Sequence, residues 1–260
     1  MRRFVSLTTA VAFLVVVGLT AAVFAQAAAG GRQGGGAGAA REGGAGRGTA
    51  APPAVAALVM NVTFQPAVAG KTDQLPFVQA NVANPDIELK QYGSGSQVLT
   101  NAGNAPQFIP YSLWTGETTG PFALTFRSKT NAVDLSGGAK IRWATKTSGF
   151  HSVQPVVKLL DGNMYIGDVM SQNVAAMMVS EFPVGTVRWM KLDPMRMVTM
   201  SSPGGTFNQI WATPDLSKVD EVGLADLIPG SGHGTGGWIH VGSLEVYGKA
   251  VPRAGATASR

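Results

Sequence analysis

The chain of 260 residues contains no cysteine, three histidines and few charged residues, which make up 13% of it. The absence of cysteine excludes disulfide bonds, thiolate metal sites and a cysteine nucleophile. The histidines are His151, His233 and His240, and no H-x-H or H-E-x-x-H spacing joins them, so no metal site is predicted. A G-x-S-x-G motif is also missing, which excludes the nucleophile elbow of serine hydrolases.

Carboxylates are present, but they form no recognisable catalytic pair. A glycosidase needs two of them facing each other across a cleft, about 5 to 9.5 Å apart. No pair lies in a motif of the E-x-D-x-x-E kind among the candidates Asp161, Asp168, Glu181, Asp220, Glu221, Asp226 and Glu245. The sequence therefore predicts no catalytic residues and a protein that is not an enzyme.

The formal net charge of +5 is produced by the ends of the chain. Between residues 56 and 250 there are nine lysines and four arginines against fourteen acidic residues, which is a net charge of −1. The basic excess comes from the two ends of the chain, which contain a single acidic residue, Glu42. The arginines there are Arg2, Arg3, Arg32, Arg41, Arg47, Arg253 and Arg260. A high isoelectric point of this origin gives no reason to expect binding to nucleic acid.

Residues 1–27 have the features of a secretory signal peptide. Arg2 and Arg3 form a positive start, Phe4–Phe24 is an almost uncharged aliphatic run, and Ala25-Gln26-Ala27 fits a cleavage site. A transmembrane anchor is the alternative, since the run is near the lower length limit for a membrane span. We expect export with cleavage, giving a secreted or periplasmic protein that is not an integral membrane protein.

Two further segments are predicted to be disordered, residues 28–55 and residues 251–260. The first is a linker made almost wholly of Gly, Ala, Arg and Pro, which offers no large apolar side chain to bury. The region between the two segments, residues 56–250, is long enough to bury a hydrophobic core without disulfides. We therefore expect a single folded domain over residues 56–250.

The domain shows the period of two that half-buried β-strands require. In Pro121–Ser128, for example, Phe122, Leu124 and Phe126 alternate with small or polar residues. The predicted strands are Leu58–Phe64, Ile87–Tyr92, Pro121–Ser128, Ala139–Lys146, Val156–Leu160, Met164–Ile166, Val187–Leu192, Gln209–Ala212, Val219–Leu227 and Trp238–Tyr247. The one predicted helical turn is Asn173–Val179. Strands at this spacing, separated by Gly, Pro, Asn and Asp, indicate an all-β antiparallel sandwich or barrel.

The last predicted strand contains a break in its alternation. Ile239 and Val241 share one face, whereas Leu244 and Val246 have the opposite parity. A strand with a period of two keeps all four in the core only if one extra residue is inserted. The sequence therefore predicts a β-bulge near Gly242-Ser243.

Three segments resemble the galactose-binding-domain-like jelly rolls. They are VDLSGGAKIRWATKTSGFHSVQPVVKLLDG from Val133, PDLSKVDEVGLADLIPG from Pro214 and GGWIHVGSLEVYG from Gly236. In that superfamily a D-L-S turn precedes a core strand, and a closing W-I-x-V-x-x-L/I-E-V-Y-G strand pairs near the N-terminus. The resemblance covers roughly Asp86–Lys249. It implies a jelly-roll β-sandwich, often a carbohydrate-binding module of a secreted enzyme, sometimes with a structural calcium ion and with no other cofactor.

Aromatic residues are the best candidates for a ligand site, because a flat ring can stack on the apolar face of a sugar while polar neighbours bind its hydroxyls. Trp238 opposes Ile239 in the alternation and is predicted to face outward, and Trp114 lies between turn signals. We predict that both contribute to a carbohydrate-binding face together with Arg142, His151 and His233. Trp143 alternates in phase with Ile141 and is predicted to lie in the core.

The function predicted from the sequence is therefore non-catalytic binding of a carbohydrate or a cell-envelope glycan. Two alternatives stay open. One is an envelope module with a structural or protein-interaction role and no affinity for sugars. The less favoured one is a glycan hydrolase whose carboxylates are spread through the chain.

Overall fold

Antiparallel strands make up most of the chain that the structure describes. The computed structural model describes residues 56–67, 75–98, 100–103, 111–115, 120–172, 175–200, 211–228 and 237–253. All of them belong to one unit, Ala50–Arg260. No helix within these ranges is long and apolar enough to cross a membrane. The predicted signal peptide and linker lie outside the described residues.

The described residues form sixteen strands and four short 3-10 helices. The strands are β1 Ala57–Thr63, β2 Ile87–Tyr92, β3 Thr100–Gly103, β4 Tyr111–Trp114, β5 Phe122–Ser128, β6 Asn131–Asp134, β7 Lys140–Gly149, β8 Ser152–Leu159, β9 Met164–Gly167, β10 Ser171–Gln172, β11 Met178–Pro183, β12 Trp189–Asp193, β13 Val198–Thr199, β14 Trp211–Ala212, β15 Val219–Asp226 and β16 Gly237–Pro252. The 3-10 helices are Gln79–Asn81, Ser94–Val98, Val184–Thr186 and Leu216–Lys218.

The strands form two antiparallel layers that share the long strand β16. In the first sheet β16 lies between β7 on one side and β1 and β4 on the other, with β11 beyond β7 and β3 beyond β4. In the second sheet the order is β2, β5, β15, β8, β9, β12, with β13 and β14 paired to β12 and β10 paired to β8. Strand β6 joins the two layers, because it pairs with both β15 and the end of β16.

The core lies between the inward faces of the two sheets. The first sheet contributes Ile141, Trp143 and Leu244, and the second contributes Phe126 and Val222; each of these side chains is at most 1% exposed. The alternating polar residues face away from this interior. The predicted all-β antiparallel jelly-roll sandwich is therefore confirmed, and so is the core position of Trp143.

The predicted bulge in the closing strand is also confirmed. Against β7, Val241 pairs with Thr145 and Ser243 with Ala144, so Gly242 is the inserted residue. All four aliphatic residues of the strand are fully buried as a result: Ile239, Val241, Leu244 and Val246. The strand also pairs with β1 near the N-terminus of the domain, as the resemblance implied.

The two D-L-S segments form turns that are closed by an aspartate side chain. Asp134 Oδ1 accepts the backbone N–H of Ser136 at 2.8 Å, and Asp215 Oδ1 accepts that of Ser217 at 3.2 Å. The turns also contact each other, because the N–H of Leu135 donates to the carbonyl of Leu216 at 2.8 Å. The repeated motif thus caps two turns and links them, which agrees with the preference of aspartate for turn positions.

Three local predictions differ from the structure. The prediction of a helical turn over Asn173–Val179 is wrong at the end of that segment, because Met178 and Val179 begin strand β11. Trp114, expected between turns, ends strand β4. Strand β16 continues to Pro252, past the expected start of the disordered tail, because Arg253 donates to the carbonyl of Ser128 and forms an ion pair with Asp220.

The outward face of the second sheet is partly covered. A second apolar cluster lies there, formed by Ala123, Val156, Met164, Ile166, Leu192, Met197 and Ala225. Beside it the carboxylate of Glu221 is only 2% exposed. It accepts hydrogen bonds from Tyr92 Oη at 2.9 Å, Lys158 Nζ at 3.1 Å and the hydroxyl of Thr125. A buried charge with these partners is satisfied where it lies.

Candidate functional site

Aromatic and polar side chains lie together on the outward face of the first sheet. Trp114 of β4 is paired with His240 of β16, and His240 is paired with Lys146 of β7. Residues directly opposite each other on neighbouring strands project from the same face about 5 Å apart, so these three form a row across the sheet. Trp238 precedes His240 by two residues and projects from the same face. We call Trp114, Lys146, Trp238 and His240 the aromatic patch.

The side chains of the aromatic patch contact one another. The ring centroids of Trp238 and His240 are 5.1 Å apart in an edge-to-face arrangement, and those of Trp114 and His240 are 6.4 Å apart. The ammonium group of Lys146 lies 5.0 Å from the centroid of the Trp238 ring. All four residues are half-buried, so each keeps part of its surface open to solvent.

Buried hydroxyl groups hold the aromatic patch in place. The Oγ1 of Thr115 accepts the N–H of Ile239 at 2.8 Å, and the N–H of Thr115 donates to the carbonyl of Ile239 at 3.1 Å. The Oγ of Ser112 lies 2.8 Å from Nδ1 of His240. Since Ser112 and Thr115 are both almost fully buried, these bonds fix the end of β4 and the His240 ring against β16.

His240 is neutral at physiological pH. Burial, and secondarily the positive charge of Lys146, lowers the pKa of His240 to about 4. A neutral imidazole offers one donor and one acceptor nitrogen, and its Nδ1 is engaged with Ser112. The positive charge of the aromatic patch therefore comes from Lys146.

The arrangement suits a ligand that has a flat apolar face and a hydroxyl-bearing edge. Two indole rings with open surface lie on either side of an imidazole, and the Lys146 ammonium adds further hydrogen-bond donors. Rings that are held in place lose little conformational entropy when a ligand binds. Within the described ranges, no group of three His, Cys, Asp or Glu side chains could hold a metal ion.

Arg142, predicted to contact the ligand, lies on the same outward face but beyond the bulge. Its guanidinium is 3.6 Å from a carboxylate oxygen of Glu245, which also accepts the hydroxyl of Tyr247 at 2.6 Å. Arg142 and Lys146 are four residues apart on β7 and therefore project from the same face, and the Gly242 inserted in β16 brings Glu245 onto that face as well. The charge of Arg142 is matched inside the protein.

The prediction for His151 is wrong in its placement. The side chain is 3% exposed, and its Nδ1 lies 2.5 Å from Oδ2 of Asp226. The other oxygen of Asp226 accepts the N–H of Ile228 at 3.0 Å, so the pair ties the β7–β8 turn to the end of β15. Burial raises the pKa of Asp226 above its usual range. His233 lies outside the described residues.

Sequence reasoning placed Trp114 and Trp238 at a ligand site and missed His240 and Lys146. His240 has the same parity as Trp238, two positions earlier, so the alternation alone could have placed it on the outward face. Lys146 alternates with Ile141 and Trp143 in the same way as Arg142, so its outward direction also has a local signal. Its position beside His240 depends on the register between β7 and β16, which is set by contacts far apart in the chain.

The seven candidate catalytic carboxylates all have partners within the protein. Five of them form ion pairs with Lys or Arg; they are Asp168, Glu181, Asp220, Glu221 and Glu245. A sixth, Asp226, is hydrogen-bonded to His151. The seventh, Asp161, accepts the N–H of Asn163 in a turn at 2.9 Å. Each of these carboxylates therefore already interacts with a basic side chain or with the backbone of a turn.

Comparison with models of known protein families gives no match, and comparison with curated proteins gives none either. Solved structures do match. A family 11 carbohydrate-binding module of the cellulosomal cellulase Lic26A-Cel5E of Clostridium thermocellum is 11% identical with a TM-score of 0.40, over 69% of this chain and 97% of that one. The module from this organism in complex with a β-1,3-1,4-mixed-linked tetrasaccharide is 13% identical with a TM-score of 0.39, over 74% and 98%.

An exo-β-agarase is also similar, with 10% identity and a TM-score of 0.36, over 69% of this chain and 25% of the agarase. The family 11 modules are β-sandwich modules of the kind that the sequence resemblance implied. At these identities and TM-scores the likeness concerns the fold alone, and no site residue is carried over from it.

Proposed function

We propose that the protein is an exported, non-catalytic carbohydrate-binding protein and that its binding surface is the aromatic patch. The observation that carries this proposal is the placement of Trp114 and Trp238 on either side of His240 on the outward face of the first sheet. Open indole surface beside fixed polar groups is what recognition of a sugar ring requires. An ordinary sheet surface would place such rings singly.

Two observations support a role without catalysis. The candidate catalytic carboxylates are already paired with basic side chains or close turns. The buried acids Glu221 and Asp226 are held by hydrogen bonds from within the protein. Incubation of the protein with each bound glycan should therefore release no new reducing ends.

Export is the second part of the proposal and is supported by the signal-like sequence of residues 1–27. Expression of the full chain in a bacterial host followed by cell fractionation should recover it outside the cytoplasm. Its mass should be lower by the mass of the first 27 residues, or of the first 25 if cleavage follows the second small-x-small candidate, Val23-Phe24-Ala25.

Carbohydrate binding is tested by a glycan-array and polysaccharide pull-down screen of the purified protein, with and without calcium. We expect saturable binding that weakens by about tenfold or more in Trp114→Ala and in Trp238→Ala, because each substitution removes an aromatic contact surface. Trp211→Ala is the matched control, since Trp211 is 39% exposed but lies on β14 of the second sheet. That variant should bind like the unaltered protein.

Other outcomes of the same screen contradict the proposal. No binding to any glycan, with calcium or without it, would favour the structural or protein-interaction module. Binding that survives both substitutions in the aromatic patch but is lost in Trp211→Ala would move the site to the second sheet.

A further inference from the structure

Lys146 differs from the other cations that lie over aromatic rings. Four such pairs occur in the described part of the chain: Lys140 over Tyr247 at 4.7 Å, Lys146 over Trp238 at 5.0 Å, Lys158 over Tyr92 at 5.2 Å and Arg188 over Trp211 at 4.2 Å. Three of the four cations also have a carboxylate partner. Lys140 pairs with Glu181 at 3.1 Å, Lys158 with Glu221 at 3.1 Å, and Arg188 with Asp168 at 2.7 Å.

Lys146 has no carboxylate within salt-bridge distance among the residues that the structure describes. Its neighbour across the strand, His240, is neutral at physiological pH and adds no charge of either sign. The next cation on this face, Arg142, is matched by Glu245 at 3.6 Å. Among the described residues, the aromatic patch therefore has one positive charge without a carboxylate partner, beside two partly open indole rings.

We propose that Lys146 selects an acidic glycan, by binding a carboxylate or sulfate group of a sugar residue whose neighbour stacks on Trp114. This inference rests on the proposed function and names the ligand class of the same site. Trp114 and Lys146 stand on either side of β16, so they are about two strand spacings, or roughly 10 Å, apart. A ligand that contacts both must extend across His240, as an oligosaccharide does.

The chemistry of Lys146 fits this role. Its ammonium group has three hydrogen-bond donors and no acceptor. The indole ring attracts the positive charge but accepts none of these hydrogen bonds in the way a carboxylate would. An anionic group on the ligand completes the site in the way that Glu181 completes the site of Lys140. A neutral glycan leaves the charge of Lys146 unmatched in the complex and removes water from it, which costs affinity.

The test compares charged and neutral glycans that share a backbone. One pair is soluble C6-oxidised cellulose, which carries carboxylates, against neutral cellulose oligosaccharides. The second pair is carrageenan, a sulfated galactan, against the same carrageenan after chemical desulfation. Affinities are measured by titration calorimetry for the unaltered protein and for Lys146→Gln, Lys146→Arg and Lys140→Gln. The first two variants separate charge from size, and the third removes a cation of the same face that already has a carboxylate partner.

We expect the protein to bind the charged member of at least one pair more tightly than the neutral member. Lys146→Gln should weaken binding of the charged glycan by about threefold to fivefold, the effect of one solvent-facing ion pair. Lys146→Arg should keep the preference, and Lys140→Gln should leave it unchanged. High salt should reduce the preference, since it screens this contact. The pair that shows the preference distinguishes a carboxylate from a sulfate ligand.

Equal affinity for the charged and neutral members of both pairs would overturn this inference and leave the proposed function standing. An equal loss in Lys140→Gln and Lys146→Gln would also overturn it, because the general charge of the face would then be responsible. No binding to any of the four glycans by a protein that binds another glycan of the array would overturn this inference alone, whereas no binding to any glycan would overturn the proposed function as well.

Discussion

The two sheets have outward faces of opposite character. The outward face of the second sheet is covered by an apolar cluster and holds the carboxylate of Glu221 at 2% exposure, with three hydrogen-bond donors. The outward face of the first sheet leaves two tryptophans half-buried beside Lys146, a cation with no carboxylate partner among the described residues. The charge of Glu221 on one face is satisfied internally, whereas on the other face Lys146 is left for a ligand as far as the described residues show.

Within the described residues, a carboxylate partner, and not residue type or exposure, distinguishes two aromatic–cation pairs of the two faces. Lys158 over Tyr92 and Lys146 over Trp238 have similar ring distances of 5.2 and 5.0 Å. The first pair is joined to a buried carboxylate and contributes to folding. The second contributes little to the core, so substitutions in the two regions should separate stability from binding.

The largest expected effect comes from exchanging a tryptophan on each side of the first sheet for alanine. Trp143→Ala opens the core and should lower the free energy of unfolding by about 3–5 kcal/mol. Trp238→Ala removes a half-buried side chain and should lower it by less than about 1 kcal/mol. Urea unfolding followed by tryptophan fluorescence and circular dichroism measures both. Similar losses in the two variants would show that Trp238 is part of the folded core.

A smaller difference is expected between two glutamates on the two outward faces. Glu221→Gln leaves Lys158 without its buried counter-charge and should cost roughly 2–3 kcal/mol. Glu245→Gln removes a partly solvated contact with Arg142 and should change stability by no more than about 0.5 kcal/mol. Urea midpoints of the two variants measure the difference. If Glu221→Gln proved as mild as Glu245→Gln, the network around Glu221 would be dispensable for stability.

The smallest expected effect concerns the pH dependence of stability. A histidine whose pKa falls from 6.5 to about 4 on folding binds fewer protons in the folded state than in the unfolded state over that interval. The free energy of unfolding should therefore fall as the pH is lowered through this window. His240→Asn should lose that part of the slope, as measured by urea unfolding at about pH 7 and about pH 5. An unchanged slope in the variant would place the pKa of His240 near its usual value.

Much of the fold could be predicted from the sequence, because its signals are local. The period of two in Pro121–Ser128 placed a strand, and the parity change between Val241 and Leu244 placed the bulge at Gly242. The outward direction of Trp238 and the core position of Trp143 followed from the same alternation. Local signals failed for Met178, since a segment rich in methionine and alanine packs equally well as a helical turn or as an edge strand.

The candidate site was predicted in part, and the missing part was decided by distant contacts. His151 is predicted to contribute to the binding face, yet in the structure it is buried and hydrogen-bonded to Asp226 at the end of β15. Ser112 and His240 are 128 residues apart and meet only because β4 pairs with β16. The alternation of the chain determined which side of a strand each residue faces, because neighbouring peptide units alternate by geometry. Only the tertiary structure decided which strands lie side by side and in what register, because that choice depends on burying both sheets around one core.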